Sequence, residues 1–392
     1  MAEEVRVKNT GLRGVTVADS KVSFIDGVKG VLIYRGYRIE ELADNCSYME
    51  TCHLLLKDHL PTAQELAPFE AAITARRALP EFTLHNLAGL PRTAHPMDVL
   101  QAAIPLLAMD DPEPLGQTRD EVVDKAMGLI ARFPTIVAAW DRIRRGKKPL
   151  APDPSLGHAA NFLYMLHGET PDPESAHDLD VLLTLQADHT FNASTFACRE
   201  VVSTRAHIYA GVTGGIGALS GALHGGANAM VMKMLLTLEH EKDLAGWVKS
   251  QLEQGERIMG LGHAVYKTDD PRAKYLRKIG ERLGQKTGQP WFRISSEVER
   301  AALAELAARG KTELKPNLDF NSAPVYYMLG IHTDLMTPVF AMSRIAGWSA
   351  HIIEEIFAEA QGKPALYRPK AEYVGDYCGL MGCEFKPLAS RA

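Results

Sequence analysis

The chain contains 392 residues, of which 46% are hydrophobic and 23% charged, and its formal net charge is −5. This length allows two or three domains with a sizeable core, so the fold needs no disulfide or metal for stability. An acidic chain of this kind lacks the large basic surface that nucleic-acid binding requires. We therefore expect a soluble globular protein without a nucleic-acid partner.

The cysteines and the amino terminus point to the cytoplasm. The five cysteines form no C-x-x-C pair and their number is odd, so we expect reduced thiols. The first ten residues are charged and contain no apolar run, which predicts that no secretory signal is present. No stretch approaches the roughly 20 apolar residues of a membrane span. These features predict a cytoplasmic location and no contact with a membrane.

Helical periodicity dominates the chain from its beginning to its end. The exception is residues 22–34, where Asp26-Gly27 stands between apolar residues and could form a β-hairpin. Between residues 121 and 145, apolar side chains recur every three or four positions, which predicts a helix with a kink or break at Pro134. The same spacing predicts helices over residues 50–57, 62–78, 97–108, 156–167, 178–187, 193–209, 227–239, 246–254, 272–287, 295–309, 324–331 and 336–360.

Several common catalytic motifs are absent from the sequence. It contains no G-x-G-x-x-G fingerprint in its glycine-rich region, no P-loop, no nucleophile elbow and no H-E-x-x-H pair. We therefore predict that the protein has no metal site.

Two histidines lie among glycines. His224 precedes two glycines and an apolar run, which predicts a loop that leads into a helix. A histidine at such a junction can point its ring at a ligand, although a structural role fits equally well. His263 is followed within nine residues by Lys267 and Arg272, a composition typical of an anion site or of a solvated surface loop.

A carboxylate and an arginine lie in apolar surroundings. Asp319, between Leu318 and Phe320 on a loop bounded by prolines, could be a partly desolvated base or a helix cap. Arg344 occupies a largely apolar segment, where an arginine needs an internal carboxylate or a ligand anion.

Six segments, in this order along the chain, resemble the citrate synthase family. They are ADHTFNAST (187–195), GALHGGAN (221–228), GLGHAVYKTDDPR (260–272), PNLDFNSAP (316–324), MSRIAGWSAHI (342–352) and RPKAEYVG (368–375). Residues 24–43 and 94–100 also resemble the amino-terminal part of the family. The departures from the family pattern, at Ala222, Ala264, Asn321 and Ala323, leave every catalytic group in place and affect the acyl pocket and the CoA contacts.

The resemblance implies a mainly α fold with two helical domains and a small amount of β structure near the amino terminus. The large domain would comprise residues 1–224 and 325–392, and the small domain residues 225–324. The active site would lie in the cleft between them. The family also implies a homodimer.

The resemblance further implies the roles of individual residues. Asp319 would be the base that takes a proton from the thioester methyl group, and His224 would donate a hydrogen bond to the thioester oxygen. His263 would polarise or protonate the ketone of oxaloacetate. Lys267 would contact the CoA phosphates. The residues that would bind the oxaloacetate carboxylates are His189, Arg272, Arg344 and, from the partner subunit, Arg368.

The implied activity is the Claisen-type condensation of acetyl-CoA with oxaloacetate, followed by hydrolysis of citryl-CoA to citrate and CoA. This acyltransferase reaction of the tricarboxylic acid cycle would use no cofactor, because the CoA thioester is a substrate. A 2-methylcitrate synthase that uses propionyl-CoA is the alternative, since one methylene changes binding by only ~1–3 kcal/mol. A third hypothesis is a helical metabolite-binding protein that lacks catalysis.

Overall fold

A small antiparallel sheet begins the described part of the protein. The computed structural model describes residues 7, 11–12, 14–262, 265–375 and 378–391. Strands β1 (Ser23–Asp26), β2 (Val31–Tyr34) and β3 (Tyr37–Arg38) are adjacent in chain order. The pairing of β1 with β2 confirms the predicted hairpin, with a four-residue turn over 27–30.

Helices make up most of the rest, which confirms the predicted mainly α fold. The described residues form sixteen α-helices: α1 (Ile39–Asn45), α2 (Tyr48–Lys57), α3 (Ala63–Ala75), α4 (Glu81–Ala88), α5 (Pro96–Asp110), α6 (Arg119–Arg144), α7 (His158–His167), α8 (Pro173–Gln186), α9 (Ala193–Ser203), α10 (Ile208–Leu219), α11 (Ala227–Thr237), α12 (Leu244–Glu253), α13 (Ala273–Thr287), α14 (Trp291–Ala308), α15 (Leu318–Met328) and α16 (Met336–Phe357). None of these helices is both long enough and apolar enough to cross a membrane.

The centre of the core is α16. Every residue from Met336 to Glu355 is buried, and the helix packs against α2, α6, α8, α9 and α10. The helix predicted over residues 336–360 is therefore present, and residues 336–355 have no side that faces solvent. Its central position brings Arg344 to the wall of the site described below.

Several helix predictions were wrong in detail. Helix α15 begins at Leu318, six residues before the predicted start at residue 324. Helix α6 continues through Pro134 without a break, because its residues 126–131 and 133–141 are buried on both sides of the proline. Residues 193–209 form two helices, and Arg205 between them has a φ of 72°. Helix α10 was not predicted beyond residue 209, because its sequence is rich in glycine.

The glycines of α10 allow it to lie very close to α9. A Cβ at Gly211 would come within 2.7 Å of Val202, and one at Gly215 would overlap the sulfur of Cys198. Close approach of the two helices therefore explains glycines that otherwise oppose helix formation.

Helices α11 to α15 pack mainly on one another. Helix α12 contacts α14, and α13 contacts both α14 and α15. Helix α11 joins this group through α15. These helices fall almost entirely within the predicted small domain, residues 225–324, whose boundaries stay a prediction.

The cysteine prediction was wrong for one pair. Cys378 and Cys383 form a disulfide in the carboxyl-terminal tail, where a separation of five residues lets the chain turn back on itself. Cys46, Cys52 and Cys198 are free thiols, as expected.

Candidate active site

A cavity of about 520 Å³ collects most of the predicted site residues. His189, His224, Arg272, Asp319 and Arg344 all line it, although they lie on five separate stretches of chain. The other lining residues are Thr190, Phe191, Asn192, Ala193, Ala222, Leu223, Gly225, Ala227, Gly262, Val265, Asn317, Leu318 and Phe340.

Of the other three predicted residues, two do not line this cavity. His263 falls outside the described residues. Lys267 is exposed and does not line the cavity, and its backbone N–H donates to the carbonyl oxygen of Gly27 at 2.8 Å. Arg368 is exposed in the tail and does not line the cavity of its own chain.

Asp319 lies in the first turn of α15 rather than on a loop. Asn317 caps this helix, because its side chain accepts a hydrogen bond from the N–H of Phe320 at 3.2 Å. The carboxylate of Asp319 is therefore not needed as a cap and faces the cavity. Burial raises its pKa to about 6, against the opposing effect of Arg272 and Arg344. Such a carboxylate is a stronger base than an ordinary one and is still mostly ionised at neutral pH.

His224 precedes α11, as the sequence predicts, and its ring contacts the amino-terminal end of α9. Its Nε2 lies 2.8 Å from the hydroxyl of Ser194 and 3.3 Å from the N–H of the same residue. A backbone N–H can only donate, so Nε2 accepts and a neutral ring carries its proton on Nδ1. Burial, helped by the positive charge of Arg344, lowers the pKa of His224 to about 4 and keeps the ring neutral.

Arg344 is buried in α16 beside the cavity. Its Nε donates to the carbonyl oxygen of Gln186 at 2.8 Å, and its guanidinium lies 4.6 Å from the centre of the Phe340 ring. Among the described residues, no carboxylate forms an ion pair with it. The sequence allowed either an internal carboxylate or a ligand anion as the partner of Arg344. We therefore expect its remaining donors to bind a ligand anion.

Arg272 is buried but already has a carboxylate partner. Its Nε and Nη2 donate to the two oxygens of Asp270 at 2.9 and 2.7 Å, and its Nη1 lies 3.4 Å from the carbonyl oxygen of Leu185. Burial lowers the pKa of Arg272, but the negative charge and the hydrogen bonds of Asp270 raise it, and the net shift is upward. The Asp270 pair therefore fixes the guanidinium at the cavity wall.

His189 follows a segment that α16 holds through three successive contacts. The first is the hydrogen bond from Arg344 to the carbonyl oxygen of Gln186. In the second, Gly347 donates its N–H to the carbonyl oxygen of Ala187 at 3.0 Å. His351 then places Nε2 3.4 Å from the carboxylate of Asp188. A Cβ at position 347 would overlap both Ala187 and Asp188, so glycine is needed there. These contacts fix the backbone that carries His189.

The predicted hairpin packs against the outer side of the cavity wall. A Cβ at Gly27 would overlap the carbonyl oxygen of Val265, a residue that lines the cavity. Asp26 stiffens the hairpin turn by accepting the N–H groups of Val28 and Lys29 at 3.0 and 2.9 Å. The turn thus supports one wall of the cavity.

Sequence reasoning missed several residues that shape the site. Ser194 and Asn317 gave only weak signals, as small polar residues before a helix. Phe340, one turn before Arg344, could have been found from helical spacing.

The geometry defines an enzyme site for an anionic substrate, with a carboxylate base and a neutral histidine in a mainly helical protein. Comparison with known proteins gives the family. A sequence model described as the citrate synthase C-terminal domain matches residues 11–370. The chain therefore belongs to the citrate synthase family of acyltransferases, as the sequence motifs predicted.

Individual relatives carry two names. A citrate synthase of Haloferax volcanii is 43% identical over 387 residues, which cover 97% of this chain and 98% of that one. A 2-methylcitrate synthase of Mycobacterium tuberculosis is 41% identical over 93% of this chain and 90% of its own length.

Solved structures share the fold over nearly the whole chain. Citrate synthase from Pyrobaculum aerophilum has a TM-score of 0.90 at 36% identity, with 99% of this chain and all of that one covered. The Thermoplasma acidophilum enzyme, in a ternary complex with carboxymethyl coenzyme A and oxaloacetate, has a TM-score of 0.89 at 30% identity. That match covers 97% of this chain and 98% of the other.

Proposed function

We propose that this protein condenses acetyl-CoA with oxaloacetate and hydrolyses the resulting citryl-CoA to citrate and CoA. The observation that carries the proposal is the meeting of Asp319, His224 and Arg344 in one cavity. This chemistry requires a carboxylate with a raised pKa, a neutral imidazole and an arginine that is free to bind an anion. Arg344 forms no ion pair with the carboxylates that the structure describes.

Asp319 is the proposed base for the first step. It removes a proton from the methyl group next to the thioester carbonyl, and the electron pair of that C–H bond moves toward the carbonyl oxygen. That proton is far less acidic than a carboxylic acid, so the developing enolate must be stabilised. His224 can do this through Nδ1–H, because Ser194 occupies Nε2.

Oxaloacetate is a dianion, and the cavity supplies cationic donors for it. We assign its carboxylates to Arg344 and to the remaining donor of Arg272, with His189 as a further contact. His263 is the proposed group that polarises the ketone of oxaloacetate while the new carbon–carbon bond forms. Lys267 is proposed to contact the CoA phosphates, and its exposure suits so polar a ligand.

The position of Arg368 is easier to explain in a homodimer than in a single chain. It is exposed outside the cavity of its own subunit, on a tail that leaves the body of the protein. We propose that it reaches the oxaloacetate of the partner subunit. A cytoplasmic location and a place in the tricarboxylic acid cycle go with this proposal and stay predictions.

Propionyl-CoA is the alternative acyl donor, giving 2-methylcitrate. Both names occur among relatives of about 40% identity, so overall similarity favours neither. The extra methylene would have to fit near Asp319, and it changes binding by only ~1–3 kcal/mol in an apolar pocket. The ratio of kcat/KM values for the two thioesters identifies the donor.

The experiment is a thiol-release assay with each acyl-CoA, run with and without oxaloacetate. We expect thiol release that depends on oxaloacetate and a higher kcat/KM with acetyl-CoA. A higher value with propionyl-CoA would assign the alternative donor. Release with neither thioester, from a folded protein that binds oxaloacetate, would instead support the non-catalytic hypothesis.

A further inference from the structure

Tyr367 anchors the tail to the body of the protein, one residue before Arg368. Its hydroxyl donates to the carboxylate of Glu355 at 2.9 Å, and its backbone N–H donates to the hydroxyl of Ser203 at 3.3 Å. Its ring contacts Phe196 edge-on at 5.6 Å between centroids. Residues 368–375 are exposed and Tyr367 is partly buried, so its contacts fix the point at which the exposed stretch begins.

Glu355 leads from this anchor into a buried ionic network. Arg199 lies 2.7 Å from Glu355 through Nη2 and 2.5 Å from Glu354 through Nη1. All three side chains are at most 1% exposed. One guanidinium therefore serves two buried carboxylates, and loss of any hydrogen bond to the network changes the balance of charge for the others.

The same guanidinium reaches His351 and, through it, the segment beside the cavity. Arg199 Nη1 lies 3.1 Å from Nδ1 of His351, and an arginine can only donate. Nδ1 therefore accepts, and the ring carries a proton on Nε2, which faces Asp188 at 3.4 Å. Asp188 in turn accepts the N–H of Thr190 at 3.0 Å and the hydroxyl of Ser23.

An aromatic contact runs in parallel with this chain of polar contacts. The guanidinium of Arg199 lies 4.6 Å from the centre of the Phe191 ring, and the same ring meets His351 edge-on at 5.6 Å. Phe191 lines the cavity, and so does His189, the neighbour of Asp188. The network therefore touches the cavity wall at two places.

We propose that Tyr367 is a positioning residue, which couples the tail that carries Arg368 to the wall of its own subunit's cavity through Glu355, Arg199 and His351. This inference rests on the proposed function, in which Arg368 serves the partner's site. It follows that a shift of His189 or Phe191 in one subunit changes the placement of the arginine delivered to the other. The two cavities of a dimer are then linked through buried side chains.

The test uses Tyr367→Phe, which removes the hydroxyl and keeps the ring. Its matched control is Tyr209→Phe, which removes a 2.8 Å hydrogen bond to Asp111 on a part of the protein away from the cavity. We expect Tyr367→Phe to raise the KM for oxaloacetate by at least about tenfold, the lower limit for one lost hydrogen bond to a charged group, with a smaller change in kcat. The control leaves both constants unchanged.

A double-mutant cycle separates positioning from a general loss of stability. Because Tyr367 acts through Arg368 as well as on its own cavity wall, the tyrosine change has a clearly smaller effect on KM once Arg368→Ala is present. Additive effects, or equal KM values for Tyr367→Phe and the control, would overturn the proposal.

Hydrogen exchange gives a measurement that does not depend on activity. Tyr367→Phe is expected to speed exchange in peptides that cover residues 187–196 as well as the tail, whereas Tyr209→Phe does not. Unchanged exchange over residues 187–196 would overturn the coupling. If the wild-type chain released no thiol, the proposed function would fail, and the exchange result would still decide whether the coupling exists.

Discussion

Arg344 donates from Nε to the carbonyl oxygen of Gln186, at 2.8 Å, and this bond fixes the plane of the guanidinium beside the cavity. A planar group held by one edge presents its remaining N–H donors in a fixed direction. Lysine cannot reproduce both the anchor and the forked donors. Because of its hydrogen bond to Gln186, Arg344 holds its remaining donors in one direction, which no other cationic side chain can do at this position.

We expect Arg344→Lys to weaken oxaloacetate binding about 10–100-fold, because charge-assisted hydrogen bonds contribute about 1.5–3 kcal/mol. Titration calorimetry measures the Kd. The matched control is Arg142→Lys, because Arg142 also donates from Nε to a backbone oxygen, that of Lys148, at 2.7 Å, but lies outside the cavity. Equal Kd values for the two variants would refute the role of Arg344.

Asp319→Asn is expected to abolish condensation while it raises stability. The pKa of Asp319 is about 6 in the folded protein against 3.8 as the ordinary value, so the folded state holds its proton more tightly. Stability is therefore lost as pH rises from about 4 to 6, by at most about 3 kcal/mol. Asparagine carries no such penalty.

Thermal unfolding of both proteins at pH 8 and pH 4 checks this sign. The variant should have the higher Tm at pH 8, and the difference should shrink toward pH 4. Near-full kcat in the asparagine variant would reject Asp319 as the base. If the variant had a lower Tm than the wild type at pH 8, the claim that burial raises the pKa of Asp319 would be rejected.

The pH dependence of catalysis should show one acid limb near pH 6. Asp319 must be ionised to act as a base, so kcat/KM for oxaloacetate should fall tenfold per pH unit below about 6. His224, with a pKa of about 4, becomes charged only at lower pH and should steepen the profile there. A profile that stays flat down to pH 5 would contradict the raised pKa of Asp319.

Ser194→Ala is expected to lower kcat about tenfold with little change in oxaloacetate binding. The hydroxyl lies 2.8 Å from Nε2 of His224, and it accepts a hydrogen bond from the indole N–H of Trp348 at 3.1 Å. Its loss leaves only the longer contact to the backbone N–H of Ser194, at 3.3 Å, to orient the ring. The magnitude is that of one net hydrogen bond. Steady-state kinetics and the oxaloacetate Kd separate the two effects.

The control for that variant is Ser295→Ala. Ser295 is also buried, but its hydroxyl donates to Phe292 at 3.0 Å within α14 and away from the cavity. If both serine variants kept the wild-type kcat, Ser194 would have no part in orienting His224.

Five of the predicted site residues line one cavity, whereas the single helix predicted over residues 193–209 is two helices in the structure. The apolar setting of Arg344 left two partners open, a ligand anion and an internal carboxylate, and the choice between them depends on which segments α16 packs against. For a similar reason, the sequence left two roles open for Asp319, that of a base and that of a helix cap. Only the observed start of α15, with Asn317 as the cap, frees the aspartate.

Helix boundaries failed where tertiary packing overrides local preference. Pro134 removes one hydrogen bond from α6, yet burial on both sides of it keeps the helix continuous. The glycines of α10 disfavour a helix until close contact with α9 requires them. Neither compensation is visible within one segment of sequence.

The two arginines beside Asp319 have a thermodynamic consequence for ligand binding. Their positive charge partly offsets the effect of burial on the Asp319 carboxyl. A bound dianion neutralises that field, so the carboxyl becomes a stronger base at the moment when its co-substrate is in place. Oxaloacetate binding near pH 6 should therefore take up a fraction of a proton from solution. Calorimetry in buffers of different ionisation enthalpy would detect this uptake, and Asp319→Asn should remove it.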